Sequence, residues 1–265
     1  RETGRGCESV PVSDVDAPRD ASRGSSAPDG ILLLVPAFNE EASIGSVLDE
    51  LRRQRPEPVV VVSDGSTDRT VVLARTAGAT VLELPFNVGV GGALRLGFRY
   101  AQAKGFGTVV QVDGDGQHDP ADIAALLETM ERTGADLLIG SRFHTSSDYR
   151  VGRVRRWTMA ALAAIVGRIA GARLTDTTSG FRVFGPRAIR LFARDYPTEY
   201  LGDTIEAIVL ASRAGLRVAE APVGMRPRSG GDASTSPGKA AVLLVRALVA
   251  VFFALTRRRP ERMVS

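Results

Sequence analysis

Cysteine is almost absent from this chain: Cys7 is the only one among 265 residues. A single thiol excludes a disulfide framework and a thiolate-bound metal cluster within one chain, and it suits a reducing cytosol. A membrane-spanning helix needs about 20 apolar residues, and the apolar run at 240–256 is shorter and contains Arg246. The sequence also contains no internal repeats, so a repeat architecture is excluded.

The composition is that of a globular domain with a basic surface. Hydrophobic residues make up 44% and charged residues 24% of the chain, with a net charge of +4 and a pI near 9.7. The charge favours anionic partners such as nucleotides, phosphates, acidic lipids or nucleic acid. A non-catalytic nucleic-acid-binding module is a weak alternative, because no helix-turn-helix and no aromatic stacking surface is present; we therefore predict that nucleic acid is not a partner.

Three segments differ in composition. Residues 1–29 are rich in Ser, Pro, Asp, Arg and Gly, which predicts a disordered tail. Residues 30–236 are expected to form one folded domain, long enough to bury a core. Residues 237–265 combine an apolar run with Arg257, Arg258 and Arg259, which is typical of a helix in a membrane interface or against a partner; a core helix is the alternative.

The central domain alternates short apolar runs with helical patterns. Strands are predicted at 31–35, 59–62, 80–84, 108–112, 136–139 and 216–221, and helices at 39–54, 70–77, 93–104, 120–133, 157–172 and 203–214. Pro36 is expected to end the first strand, and Asn39 to cap the first helix. This alternation is typical of βαβ units and predicts an α/β fold with a mostly parallel central sheet flanked by helices.

The most informative stretch follows the strand at 108–112. Asp113 and Asp115, separated by Gly114, stand at its carboxyl end, where open parallel sheets bind ligands. Two carboxylates so close together repel each other unless a cation neutralises them, and a divalent metal with oxygen ligands does so readily; Gln117 offers a neutral oxygen from the same turn. The alternative is a polar strand-to-helix loop in which Asp119 caps the next helix.

Two other strand ends carry related motifs, and together the motifs resemble a known family. The motifs are Pro-x-Phe-Asn-Glu from Pro36, Asp-Gly-Ser-Thr-Asp from Asp64, Asp-x-Asp with a following Gln from Asp113, and Gly-Ser-Arg from Gly140. Their order and spacing resemble the inverting family-2 glycosyltransferases, and within these the dolichol-phosphate-mannose synthase group, over about residues 31–235. The combination is far more specific than any single motif.

The resemblance implies a GT-A type nucleotide-binding fold and metal-dependent transfer of a hexose from a nucleotide sugar, of the GDP-mannose or UDP-glucose type, to a polyprenyl phosphate. Asp115 and Arg142 would be catalytic, and Mg²⁺ or Mn²⁺ would be held by Asp113, Asp115 and Gln117. The implied nucleotide-sugar site consists of Pro36, Phe38, Asn39, Glu40, Val62, Asp64, Asp113, Gly114, Asp115, Gln117, Arg142 and Arg228.

Structural explanations compete with several of these roles. Glu40 could simply be an acid in the first turn of a helix, and Asp64 could form an Asx-type turn. For Asp176 and Glu206, which match acidic positions of the family, a buried paired carboxylate is an equal contender. The arginines at 155 and 156 are candidates for binding the acceptor phosphate, although a solvated charged face is the usual explanation for such a cluster.

The chain departs from the family in three ways. Ser63 replaces the first acid of the usual Asp-Asp-Gly-Ser turn, and Ala233-Ser234-Thr235 stands where Ser-Lys is expected, which puts the closing cation in doubt. The long transmembrane helices of many relatives are missing. We therefore expect peripheral attachment to the cytoplasmic face of the membrane, or docking on a small membrane-anchor protein. The alternative activity is the same chemistry on a soluble hydroxyl acceptor, such as a natural product or a glycan.

Overall fold

The structure is a computed structural model that describes residues 30–142, 153–197 and 203–226, with the side chains of 153–161 and of residue 203 left aside. The strands are β1 (Ile31–Ala37), β2 (Val59–Ser63), β3 (Thr80–Glu83), β4 (Thr108–Gln111), β5 (Leu137–Ser141), β6 (Arg182–Phe184) and β7 (Val218–Pro222). The helices are α1 (Ile44–Gln54), α2 (Thr70–Thr76), α3 (Val90–Lys104), α4 (Asp122–Thr133), α5 (Arg153–Ala170), α6 (Pro186–Arg194) and α7 (Asp203–Arg213). The predicted tail at 1–29 and the predicted helix within 237–265 lie outside the described residues.

The strands form one sheet in the order β3-β2-β1-β4-β6-β5-β7. All neighbouring pairs are parallel except those of β6, which runs antiparallel to both β4 and β5. The prediction of a mostly parallel sheet is confirmed. Because β6 runs the opposite way, its first residue lies at the carboxyl edge of the sheet: Arg182 is in register with Gln111 of β4 and Ile139 of β5.

Pro36 does not end the first strand, so that prediction is wrong. The amide of Leu33 donates to Pro58 on the β2 side, whereas the carbonyl of Leu34 accepts from Val112 on the β4 side. The backbone N–H and C=O groups of the even-numbered residues of β1 therefore point toward β4. Pro36 is the next even-numbered residue after Leu34, and it has no N–H to donate to that side. Proline thus stops the ladder with β4 while β1 continues its ladder with β2, where Pro36 is in register with Val62.

Asn39 does not cap the first helix, and this prediction is also wrong. The helix begins at Ile44, five residues later. Asn39 adopts a left-handed conformation with φ of 54°, which asparagine tolerates better than most residues. Its side-chain oxygen accepts the amide of Thr67 at 2.9 Å, so it links the turn after β1 to the turn after β2.

The sheet is covered on both faces, which explains why its strands are almost uniformly apolar. Alternate residues of each strand enter different cores. Leu32 and Leu34 pack under α3, α5, α6 and α7, whereas Leu33 and Val35 pack under α1, α2 and α4. The first core contains a cluster of aromatic rings with centroid separations of 4.7–5.6 Å, formed by Phe98, Phe184, Phe192 and Tyr196.

One helix of the fold lacks a counterpart in the sequence predictions. Helix α6 begins with Pro186 at its first position, a residue that suits the first turn because its missing N–H would have no partner there. It follows the antiparallel strand β6 and packs against α3. In the described part of the chain, no helix is both long and apolar enough to cross a bilayer.

Candidate functional site

The ends of β1, β2 and β4 meet at the carboxyl edge of the sheet. The amide of Asp64 donates to the carbonyl of Ala37 at 2.9 Å, which joins the ends of β2 and β1. A Cβ atom placed on Gly114 would lie 3.5 Å from the carbonyl oxygen of Pro36 and 3.7 Å from Cγ of Glu40. The turn after β4 therefore packs closely against the chain after β1, and the predicted site residues of the three strands share one edge.

Asp64 is buried and holds the entrance to α3. One carboxylate oxygen accepts the amide of Val88 at 2.8 Å, and the other accepts the amide of Gly89 at 2.9 Å. Gly89 has φ of 90°, a conformation that glycine adopts without steric cost. The fixed carboxylate was predicted to bind the base edge; in this structure it joins the end of β2 to the start of α3, and binding of a base stays a prediction.

The residues after β1 lie at the carboxyl edge of the sheet and contact the turn after β2. Phe38 is 46% exposed, so its ring is available to a ligand at this edge. Glu40 accepts the hydroxyl of Ser43 at 2.9 Å, and its amide donates to the hydroxyl of Thr70 at 2.8 Å. Val62 is completely buried in the core beneath the site. The resemblance assigns Val62 to the nucleotide-sugar site; its side chain has no exposed surface in this structure, and a contact with the nucleotide stays a prediction.

Asp113 lies in a narrow cradle built by two neighbours. A Cβ atom on Gly180 would fall 2.3 Å from one of its carboxylate oxygens, so only glycine allows this approach. The amide of Asp113 donates to Nδ1 of His118 at 3.2 Å, and Nε2 of the same ring is 3.7 Å from the carboxylate. The His118 ring is buried and stacks on Phe181 with centroids 4.7 Å apart. His118, which no sequence motif singles out, therefore supports Asp113.

Asp115 and Asp119 shape the rest of this turn. Asp115 accepts the amide of Gln117 at 3.0 Å, which turns the chain back toward α4. Asp119 accepts the amide of Ala121 at 3.0 Å in an Asx-type turn just before α4. The cap position of α4 is Ala121, and the helix has no side-chain capping hydrogen bond, so the prediction that Asp119 caps it is wrong. This turn does not involve Asp113 or Asp115, whose chemistry needs a separate explanation.

The donor set of this turn fits a hard divalent cation. Asp113, Asp115 and Gln117 supply two carboxylates and an amide oxygen, and Mg²⁺ in such sites takes one or two carboxylates and completes its shell with water and substrate phosphate. Among the described residues, no group of three or more His, Cys, Asp or Glu side chains is gathered for a metal. The turn thus offers part of a coordination shell, which suits an ion that binds together with a phosphorylated ligand.

Arg142 forms a buried ion pair with Asp176. Its Nε and one Nη contact the two carboxylate oxygens at 2.5 and 2.8 Å, and the same Nη donates to the hydroxyl of Thr178 at 2.7 Å. The Asp176 side chain is completely buried. Burial alone would raise its pKa, but the hydrogen bonds and charge of Arg142, with help from Thr178, outweigh burial and hold the pKa below its usual value.

This pair changes two predictions. For Asp176, a functional role and a buried paired carboxylate were both left open, and the structure shows the buried paired carboxylate. The resemblance assigns Arg142 to the catalytic and nucleotide-sugar site, but in this structure the guanidinium edge that could bind a phosphate in bidentate fashion contacts Asp176, because the loop after α5 brings the acid beneath it. Glu206 is likewise buried, on α7. The side chains of the arginines at 155 and 156 are outside the described residues, as is Arg228.

A second acid, which sequence reasoning missed, holds the same loop. Glu220 on β7 accepts the amides of Thr175 and Asp176, each at 2.7 Å. The hydroxyl of Thr175 also lies 2.8 Å from that of Ser141, at the end of β5. The loop is therefore anchored to β5 and β7 before it carries Asp176 to Arg142. Neither spacing nor composition signals this role, because Glu220 is 44 positions from its partner.

Arg182 fixes the other end of that loop from inside the protein. Its side chain is completely buried, and its guanidinium donates to the carbonyls of Ser179, Thr177 and Thr204 at 2.8–3.2 Å. These carbonyls belong to the loop and to the first turn of α7. A buried arginine satisfied by backbone oxygens rigidifies the segment that places Gly180 against Asp113.

The chain after β7 returns to the paired acids. Arg226 donates its amide to the carbonyl of Gln117 at 3.0 Å. Its guanidinium contacts Glu50 of α1 at 2.8 Å and Asp119 at 2.7 Å. These hydrogen bonds, with Glu50 contributing most, raise the pKa of Arg226 above its usual value. The basic loop that the sequence placed over the substrates starts from this anchored residue.

Comparison with known proteins is consistent with this geometry. Residues 33–195 match the family model described as Glycosyl transferase family 2. The undecaprenyl-phosphate mannosyltransferase of Micrococcus luteus is 32% identical over 216 residues, which cover 78% of this chain and 88% of that protein. The UDP-N-acetylglucosamine–dolichyl-phosphate N-acetylglucosaminyltransferase of Methanococcus voltae is 26% identical over 211 residues, covering 73% and 84%.

The fold itself has solved counterparts. The crystal structure of glucosyl-3-phosphoglycerate synthase from Mycobacterium tuberculosis, in complex with Mn²⁺, UDP and glucosyl-3-phosphoglycerate, superposes with a TM-score of 0.65. The match covers 85% of this chain and 79% of the synthase at 22% identity. This likeness carries the fold, which is of the GT-A type that the resemblance implied.

Proposed function

The chain belongs to glycosyl transferase family 2 and is a glycosyltransferase, and from that premise we propose that it transfers a hexose from a nucleotide sugar to a polyprenyl phosphate. The observation that carries the donor half of this proposal is the packing of the Asp113-Gly114-Asp115 turn against Pro36 and Glu40. It puts the acids at the edge where parallel sheets bind nucleotides. The polyprenyl phosphate is proposed from the names of the two relatives.

The nucleotide sugar would lie across the ends of β1, β2 and β4. The exposed ring of Phe38 offers a surface for stacking, and Glu40 lies beside the turn that would face the diphosphate. A donor of the GDP-mannose or UDP-glucose type suits this arrangement. The relatives are named for different sugars, which leaves the hexose to experiment.

Asp113, Asp115 and Gln117 would hold Mg²⁺ or Mn²⁺ on the diphosphate. A divalent ion there would neutralise the charge that develops on the departing nucleoside diphosphate. The His118 ring accepts the amide of Asp113, and Gly180 leaves room for the Asp113 carboxylate because it has no side chain. Together they fix the position of Asp113. The synthase that shares the fold is named as a complex with Mn²⁺ and UDP, which supports the same choice of ion here.

A polyprenyl phosphate needs little activation by the protein. Its phosphate is already ionised at neutral pH, so the reaction depends on in-line positioning and charge neutralisation more than on a strong general base. Arg142 stands at the same edge, and its pairing with Asp176 fixes the guanidinium before any ligand arrives. We propose that Arg142 acts from this fixed position toward phosphate oxygens, with Arg228 as a second cation.

Domain boundaries and membrane attachment remain part of the proposal. The catalytic domain would span residues 30–236, with 237–265 as the segment that contacts the cytoplasmic face of the membrane or a membrane-anchor protein. Truncation after residue 236 should release the protein from membranes in a flotation assay. Equal recovery of the full and truncated chains with membranes would reject this role for the segment.

A transfer assay distinguishes the two candidate acceptors, a polyprenyl phosphate and a soluble hydroxyl compound. The full chain is incubated with Mn²⁺, a panel of radiolabelled nucleotide sugars and a short polyprenyl phosphate in detergent, and organic-soluble label is counted. We expect transfer that requires both the metal and the lipid phosphate. Transfer to phosphoglyceric acid, which is present in a crystal structure of the synthase of the same fold, without transfer to lipid would instead establish the alternative, a soluble hydroxyl acceptor.

A further inference from the structure

A basic groove runs between α3 and α6, away from the paired acids. It encloses about 620 Å³ and is lined by Arg95 and Arg99 of α3 and by Arg190 and Arg194 of α6. The two helices are packed together along the groove, and one Nη of Arg95 donates to the carbonyl of Arg194 at 2.7 Å. Four guanidinium groups thus line one rigid surface depression, which we call the basic groove.

The described part of the chain supplies no carboxylate to these arginines. Within the described part of the chain, none of the four arginines forms an ion pair with a carboxylate. Nε of Arg95 is buried there without a hydrogen-bond partner. Like charges in close proximity repel each other, and a buried donor without an acceptor is costly, so a bound anion with several oxygens would stabilise this arrangement.

The basic groove starts close to the catalytic edge. Helix α3 begins at Val90, directly after the amide of Gly89 that Asp64 holds at the end of β2. Arg95 lies in the second turn, so the groove extends from this edge along the side of the molecule.

We propose that the basic groove is a membrane-docking surface that binds the phosphate head groups of anionic phospholipids. Guanidinium groups bind phosphate in bidentate fashion, and clusters of basic residues near a bilayer are attracted to anionic lipids. This inference rests on the proposed function, because a lipid-linked acceptor requires the catalytic edge, and with it the near end of the groove, to lie close to the membrane. Nucleic acid also binds basic grooves, but the proposed reaction involves no nucleic acid.

Charge reversal in the full chain tests the proposal. Arg99→Glu with Arg190→Glu changes two exposed groove residues. The matched control is Arg53→Glu with Arg132→Glu, two exposed arginines on α1 and α4, which cover the opposite face of the sheet. Both pairs change the net charge equally. Sedimentation is measured with vesicles of phosphatidylcholine alone and with about one-third phosphatidylglycerol, a fraction that gives a clear surface potential.

The groove variant should partition onto the anionic vesicles at least about tenfold less than the wild type, because each reversal removes an attractive charge and adds a repulsive one near the surface. The control should lose clearly less, and transfer to polyprenyl phosphate in detergent should be unchanged in both. An equal loss of vesicle binding in the two variants, or no loss in either, would show that the basic groove is not a membrane-docking surface.

Two further probes separate other ligands. If inorganic phosphate raises the melting temperature of the wild type but not of the groove variant, while vesicles are not bound, the ligand is a soluble phosphate and membrane docking is wrong. Groove-dependent binding of a single-stranded oligonucleotide without vesicle binding would also overturn it. Groove-dependent vesicle binding without any transfer to lipid would instead refute the proposed activity and leave the groove standing.

Discussion

Arg142 and Asp176 are 34 residues apart in the chain, and they form a bidentate ion pair in which the carboxylate has no exposed surface. The arginine follows the last residue of β5, and the acid lies in the loop after α5. Glu220 holds that loop from β7. The pair therefore joins three parts of the chain at the edge where the acceptor is proposed to bind.

Removing one partner of this pair should destabilise the protein strongly. Arg142→Ala leaves the Asp176 carboxylate buried without its cation, and such changes cost about 3–5 kcal/mol. Asp176→Ala should cost less than that, and the double variant should cost less than the sum of the single ones because no unpaired charge remains. Urea denaturation of the four proteins measures the free energies of unfolding.

An exposed ion pair provides the control for that cycle. Arg75 and Glu83 also interact, but both side chains are about half exposed. Arg75→Ala should change the free energy of unfolding by no more than about 1 kcal/mol. A similar cost for Arg75→Ala and Arg142→Ala would show that burial of Asp176 is not what makes its pair important.

Stability should fall in acid in a way that depends on Asp176. The pKa of this carboxyl is lower in the folded chain than its ordinary value of 3.8. The unfolded chain therefore binds a proton first as the pH falls, so the stabilisation is complete above the ordinary value and is lost as the pH drops through the folded value. The difference in unfolding free energy between the wild type and Asp176→Asn should shrink between about pH 5 and pH 2. A constant difference would contradict the assignment.

Asp115→Asn should abolish transfer with little effect on the fold. Loss of a carboxylate from the proposed metal site removes several kcal/mol of charge stabilisation, so turnover should fall by about a hundredfold or more. Mn²⁺ binding in the presence of nucleoside diphosphate, followed by electron paramagnetic resonance, should weaken in parallel. Asp49→Asn, at an exposed position of α1, is the matched control and should retain both properties. Full activity of Asp115→Asn with Mn²⁺ would remove the metal site from the mechanism.

Gly180→Ala tests the cradle around Asp113. The added methyl would meet the carboxylate at 2.3 Å, so Asp113 must move and binding of Mn²⁺ with nucleoside diphosphate should weaken. Gly45→Ala on α1 meets no atom within 4 Å and should leave binding unchanged while stabilising the helix by about 0.5–1 kcal/mol. Unaltered metal affinity in Gly180→Ala would mean that the position of Asp113 is not critical. Isothermal titration of both variants provides the comparison.

Much of the architecture was predictable from local pattern. Apolar runs such as 59–62, followed by amphipathic helices, predict buried parallel strands because a strand covered on both faces has no polar side to show. The motifs at the ends of β1, β2 and β4 could be assigned to one edge for the same topological reason. Helix α6 was missed although Ile189, Leu191 and Phe192 give it a clear apolar face, because its nine residues are shorter than the stretch over which helical periodicity is usually recognised.

Pairing between distant residues could not be predicted. The predictions for Pro36 and Asn39 were wrong because local rules treat proline as the end of a strand and asparagine as a helix cap. The neighbouring strand and turn decide instead which backbone groups need hydrogen-bond partners. Val62 was assigned to the nucleotide-sugar site by its position in the motif, and only the structure showed that its side chain on β2 enters the core.

The sequence by itself determined the α/β class, the family and the edge at which the acids stand, because each depends on residue types at short spacing. Only the tertiary structure decided that Asp64 holds the amides before α3, that Asp176 neutralises Arg142 and that four arginines share the basic groove. These relationships arise where crossover connections bring together segments far apart in the chain. The contacts are fixed by strand order and helix packing, and no local pattern encodes them.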